Sequence, residues 1–139
     1  MQIRKTTETI THFSYVADDG AEFSTKRECM EHEWAMKQAD ADDYAGKLAH
    51  FDQELPFNSG YEDSWTWYYV KSQRDLEAVI LANYCEDCEA AHDYKQESYP
   101  CWIVATTDGN GYGAIYSAKE VKVLLEQFLT ELSDRFNEV

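Results

Sequence analysis

The sequence predicts an α+β fold: a single domain over residues 1–139, with a mainly antiparallel sheet, element order ββαβαββα, and helices packed on the sheet. Three observations carry this. Extended runs with alternating side chains are interleaved with segments of helical apolar spacing. The turn-formers Asp18-Asp19-Gly20 and Asp108-Gly109-Asn110-Gly111 sit between extended runs. Thr25, Ser72 and Ser117 each stand three residues ahead of an acid, the signature of a capped helix start. With 44% apolar residues, including four Trp, ten Tyr and six Phe, a chain of 139 residues buries a core without disulfides or metal.

The elements follow in order. Residues 3–16, rich in Thr, Ile and aromatics, read as one strand, and Ala21–Phe23 returns after the Asp-Asp-Gly turn. Thr25 and Glu28 cap a helix with Met30 and Trp34 on one side, which Ala39–Leu48 either prolongs or follows as a second helix. Residues 50–63 read as a loop. Ser64–Lys71 (SWTWYYVK) is the strongest strand. Trp65, Trp67 and Tyr69 face one way and Thr66, Tyr68 and Val70 the other, which places it near the sheet centre. Ser72 caps a helix with the stripe Leu76, Val79, Ile80 and Tyr84. Residues 85–100 read as polar and irregular. Cys101–Thr106 and Tyr112–Tyr116 form a hairpin. Ser117 then caps a final helix whose stripe is Val121, Leu124, Leu125, Phe128, Leu132 and Phe136.

Charge is the strongest functional signal. The chain holds 27 Asp and Glu against 12 Lys and Arg, a net of −15. Residues 1–27 are balanced, residues 28–63 carry −8, and residues 75–97 carry −6. Such a field repels nucleic acid and anionic membrane and attracts basic surfaces. The expected partner surface is the first acidic block, Asp40, Asp42, Asp43, Glu54, Glu62 and Asp63 with neighbouring Tyr61, and the second, Glu86, Asp87, Glu89 and Asp93. Carboxylates at a density comparable to that of duplex phosphates, one per ~1.7 Å of helix axis, can occupy a nucleic-acid groove. The plainer reading is a set of solvated faces that keep the protein in solution. Tyr94 and Tyr99, in polar surroundings, are further contact candidates. Trp65, Trp67 and Trp102 are expected in the core.

Cys85-Glu-Asp-Cys88, His92 and Cys101 form the one metal-like pattern, suited in ligand type to tetrahedral zinc. A zinc ribbon needs a second tight pair, which is missing, so no metal or cofactor is expected. A redox role is disfavoured because Glu86 and Asp87 raise thiol pKa values. Cys29 with His32 reads as a small buried thiol. No G-x-S-x-G, P-loop, G-x-G-x-x-G or H-E-x-x-H occurs, and the residues point to no catalytic group. The N-terminus lacks a signal-like apolar stretch and no run approaches the ~18 apolar residues of a spanning helix, so a cytoplasmic protein with reduced thiols is expected.

The stretch Tyr15–Glu33 (YVADDGAEFSTKRECMEHE) resembles small phage-encoded proteins, in its strand, Asp-Gly turn, Phe, capped helix and Glu-Cys. The stretch from Asp108 to Leu132 is similar to hairpin-plus-helix modules of that group. The resemblance implies structural roles for Gly20, Phe23, Thr25 and Glu28. It also implies an inhibitor of host defence, of the anti-CRISPR or DNA-mimic kind. The expected partner is a basic bacterial protein such as a nucleic-acid-binding defence nuclease, bound without direct contact to nucleic acid or membrane. A zinc-supported adaptor or a small enzyme are the alternatives.

Overall fold

A computed structural model describes residues 1–7, 11–56 and 62–138. Among the described residues the fold is α+β with two antiparallel sheets and four helices. The chain divides into two compact units, residues 1–41 and 42–139.

The first unit holds a three-stranded sheet in the order β1 (Gln2–Thr7), β2 (Thr11–Val16) and β3 (Glu22–Phe23). The expected single strand over residues 3–16 is therefore two strands of a hairpin, pairing Gln2 with Val16 and Lys5 with Phe13. The Asp-Asp-Gly turn forms as expected. Gly20 adopts φ 91°, where a side chain is strained, and its amide donates to the Ala17 carbonyl at 2.9 Å. The Asp19 carboxylate accepts from the Ala21 amide at 3.1 Å and lies 2.8 Å from His32 Nε2. The terminal ammonium of Met1 contacts Asp18 at 3.0 Å and Glu33 at 3.1 Å. Helix α1 (Lys26–Gly46) starts at Thr25, whose hydroxyl accepts from the Glu28 amide at 3.2 Å. It runs unbroken through Ala39 and Ala45. Cys29, Ala41 and Ala45 are buried, and Met30 is 48% exposed.

The second unit is a four-stranded sheet in the order β4 (His50–Asp52), β5 (Ser64–Val70), β6 (Cys101–Thr107) and β7 (Gly113–Ser117). Strand β4 lies within the expected loop, paired with β5 through Phe51 and Trp67. Strand β5 is interior, as its two apolar faces predicted. On one face Tyr68, Val70, Ile103, Ala105 and Ile115 pack with Leu76, Val79, Ile80 and Tyr84 of α2 (Gln73–Asn83) and its C-cap. Ala91 of the one-turn α3 (Glu89–His92), inside the segment expected to be irregular, joins them. On the other face Val104, Trp65, Trp67 and Tyr116 pack with Leu55 and with Val121 and Leu125 of α4 (Ala118–Asn137). Ser72 and Ser117 cap α2 and α4, accepting from the Asp75 and Glu120 amides at 3.3 and 3.1 Å. The α4 stripe is not buried as a whole. Val121 is buried, while Phe136 is 73% exposed, because the sheet covers only the first turns.

Two buried polar groups lock the second unit. Asp75 accepts from the Tyr44 hydroxyl at 2.7 Å and the Lys71 amide at 2.8 Å. Burial pushes its carboxyl upward, but these bonds and the Ser72 contact outweigh burial and hold it below the usual carboxylate range. Tyr84, fully buried, donates its hydroxyl between the Thr106 and Ala114 carbonyls of adjacent strands, at 2.9 and 2.8 Å. Burial drives its pKa far above the ordinary phenol range.

Candidate functional site: the anionic surface of the second unit

The second unit carries nineteen carboxylates against seven Lys and Arg side chains. Asp75 is buried, Glu62 and Asp108 are half-buried, and the other sixteen are exposed. Asp43 is paired with Lys47 at 3.2 Å, a contact of two exposed groups with little energetic weight.

The carboxylates gather at two places. The first is the turn of the β6–β7 hairpin. Its Asp-Gly-Asn-Gly sequence supplies Gly109 at φ 86° and Gly111 at φ 87°, and the Asp108 carboxylate closes it by accepting from the Asn110 and Tyr112 amides at 2.8 and 3.2 Å. Asp63 is held beside this turn: its amide donates to the Thr107 carbonyl at 2.7 Å, and a Cβ on Gly109 would lie 3.4 Å from its carboxylate. On the other flank the Cys85 amide donates to the Gly111 carbonyl at 3.0 Å. A Cβ on Gly111 would come 2.9 Å from that same amide nitrogen, so glycine is required there. The Tyr112 hydroxyl donates to Asp87 at 3.0 Å and the Cys85 thiol to the same carboxylate at 3.0 Å. Those two bonds, the thiol's first, hold the Asp87 carboxyl below its usual range. The hairpin thus joins Asp63 of the first acidic block to Asp87 of the second. Glu86 is exposed beside Asp87, Glu89 opens α3, and Asp93 caps its end.

The second place surrounds Tyr68. Burial raises its phenol pKa, the Asn83 hydrogen bond opposes this, and the Asp42 and Asp52 carboxylates add to the rise. Asp52 accepts from the Thr66 hydroxyl at 3.0 Å. Asp63 immediately precedes β5, and Asp52 of the second group pairs with Thr66, three residues or roughly 10 Å further along at about 3.3 Å per residue. Asp40, Asp42 and Asp43 are exposed on α1, and Glu54 is exposed after β4. Tyr61 lies outside the described residues.

The other expected contact residues are engaged internally. Tyr94 packs on the core and donates to Gln96 at 2.7 Å, and Tyr99 packs on the core and donates to Gln73 at 3.0 Å. Trp67 and Trp102 are half-buried in an aromatic row. Phe51 stacks on Trp67 at 6.0 Å and tilts onto Trp102 at 5.2 Å, and Tyr69 meets Trp102 at 5.3 Å.

The cysteine pattern does not form a cage. Cys85 is turned to Asp87, Cys88 is buried with its thiol 3.5 Å from the Gly113 carbonyl, and His92 Nε2 donates to the Cys85 carbonyl at 2.9 Å. Among the described residues no three His, Cys, Asp or Glu side chains are grouped to hold a metal ion. Burial, followed by the Asp87 bond, raises the Cys85 thiol, and burial raises Cys101, so neither is primed as a thiolate. Asp108 and Tyr112 were not among the expected site residues; the Asp-Gly-Asn-Gly motif is the signal that marks them. Among the described residues no helix is long and apolar enough to cross a membrane. Comparison with protein-family models, curated proteins and solved structures finds no match.

Proposed function

We propose that this protein is a non-enzymatic inhibitor that lays its carboxylates on a basic, nucleic-acid-binding surface of another protein. The observation that supports this is the exposure of sixteen carboxylates in a unit with seven cations. An exposed anionic face suits charge complementarity, which governs encounter rate and specificity more than it does chemistry. The resemblance to small phage proteins supplies the partner class: a defence nuclease of the bacterial host, met in the host cytoplasm, with the acidic surface standing in for nucleic-acid phosphates.

The test is capture of partners from bacterial lysate on the immobilised protein, followed by inhibition of the captured nuclease. Raising salt from 0.1 to 1 M shortens the screening length from ~10 to ~3 Å, so capture is expected to fall steeply. Loss of electrostatic steering slows association by roughly 10- to 10³-fold. Two charge reversals probe the two places: Asp42→Lys with Asp43→Lys, and Glu86→Lys with Glu89→Lys. Asp87 is left intact because its reversal would also break the hairpin lock. Undiminished inhibition by both variants refutes the reading.

A further inference from the structure

Helix α4 continues past the sheet with its apolar side only partly covered. Val121 and Leu125 are in the core with Val104, Trp65 and Tyr116. One helical row further round, residues Leu124, Phe128, Leu132 and Phe136 recur every fourth position and form a ridge. The ridge begins in a groove of about 680 Å³, where Leu124 lines the wall with Trp102, Tyr116, Cys101 and Val123. Phe128 and Leu132 are half-buried and belong to neither core cluster. Leu129 beside the ridge is 60% exposed, and Phe136 at its end is 73% exposed. From Leu124 to Phe136 the ridge runs ~18 Å, at 1.5 Å per residue, the length of a three-turn helix.

The charge along it says what covers it. Over residues 122–138 the helix carries Glu126, Glu131, Asp134 and Glu138 against Lys122 and Arg135. The groove adds no bias, since Lys95 and Lys119 are offset by Glu97 and Glu120. A second copy would set four carboxylates against four. An anionic membrane surface prefers helices rich in Lys and Arg. A cationic amphipathic helix satisfies both the apolar ridge and its acidic flank. We propose that the Leu124–Phe128–Leu132–Phe136 ridge, with the groove at its start, is the docking track for a basic amphipathic helix of the partner. This rests on the anionic-inhibitor reading and locates where apolar contact anchors it.

The experiment titrates the full chain with a fluorescent sixteen-residue peptide of leucines and lysines at helical spacing, followed by anisotropy at low salt. A matched peptide carries glutamate for every lysine. The lysine peptide is expected to bind. Phe136→Ala and Phe128→Ala are expected to weaken it about tenfold or more, as buried aromatic anchors do, with folding checked by circular dichroism. Glu131→Lys with Glu138→Lys is expected to weaken it in a salt-sensitive way. Equal binding of the lysine peptide by wild type and both Phe variants overturns the track, while leaving the anionic reading standing if the Asp42/Asp43 or Glu86/Glu89 reversal abolishes capture. Equal affinity for the glutamate peptide overturns the basic occupant. A dimer in sedimentation that Phe136→Ala dissolves makes a second copy the occupant and also overturns it. No binding of the lysine peptide together with no salt-sensitive capture from lysate removes the inhibitor reading itself.

Discussion

Tyr84→Phe isolates one oxygen atom. The ring stays in the core, so no cavity opens. What disappears is the hydroxyl set between the Thr106 and Ala114 carbonyls. The Ala114 carbonyl keeps the Thr106 hydroxyl, which donates to it at 3.0 Å, and the Ala114 amide still donates to that hydroxyl at 3.2 Å. The Thr106 carbonyl loses its Tyr84 donor beneath a fully buried ring. Leaving a buried acceptor unsatisfied costs about 1–3 kcal/mol, so a loss of about 2 kcal/mol is expected, or roughly 6–10 °C in melting temperature for a domain of this size. Tyr84→Ala also empties the ring's space and should cost about 3–5 kcal/mol. The assay is urea unfolding read by tryptophan fluorescence, paired with hydrogen exchange at the Ala114 and Tyr116 amides. Exchange should speed up in β7 and at the 108–112 turn, which Asp63 and Asp87 flank. A Tyr84→Phe change within 0.5 kcal/mol of wild type, with unaltered exchange, refutes the claim that this hydroxyl ties α2 to the hairpin.

Gly113→Ala should be worse than Tyr84→Phe, because the new methyl would run into the Thr106 carbonyl oxygen, against backbone that cannot yield. Gly20→Ala, at positive φ but in open space, should cost only about 1 kcal/mol, and comparing the two melting curves checks the contrast. Asp75→Asn should lower stability at neutral pH. The native Asp75 carboxyl lies below its reference value of 3.8, so its contribution is full above that value and fades as pH falls through the native pKa. Thermal melts across pH 7 to 2 should therefore show the gap between wild type and variant closing on the acid side; a gap constant with pH counts against the Tyr44–Asp75–Lys71 bonds.

Much of the fold could be read locally. Thr25, Ser72 and Ser117 each accept the expected amide, because a cap needs only two groups three residues apart. The alternation in β5 and the α2 stripe were legible for the same reason. Strand β4 was not, because His50-Phe51-Asp52 is extended through its pairing with β5 and has little pattern of its own. Helix α3 is one turn long, too short for periodicity to register. The α4 stripe shows the limit of such patterns: spacing fixes which residues share a side and leaves open what lies opposite. Exposure of the acids followed from composition. The placing of Asp63 and Asp87 beside one hairpin depends on Gly109 and Gly111 bringing distant segments to one turn, which no local window contains.

The outer strand of the first unit gives its basic residues a further meaning. Strand β1 lies at the end of its sheet, bonded to β2, with Ile3 exposed. A bare strand margin of this kind invites a neighbouring chain to extend the ladder. Arg4 and Lys5 interrupt it with two adjacent like charges, and the Arg4–Glu22 pair ties one of them back across the sheet. Neutralising both should therefore favour fibrillar or strand-exchanged assemblies while leaving the anionic surface of residues 42–139 intact.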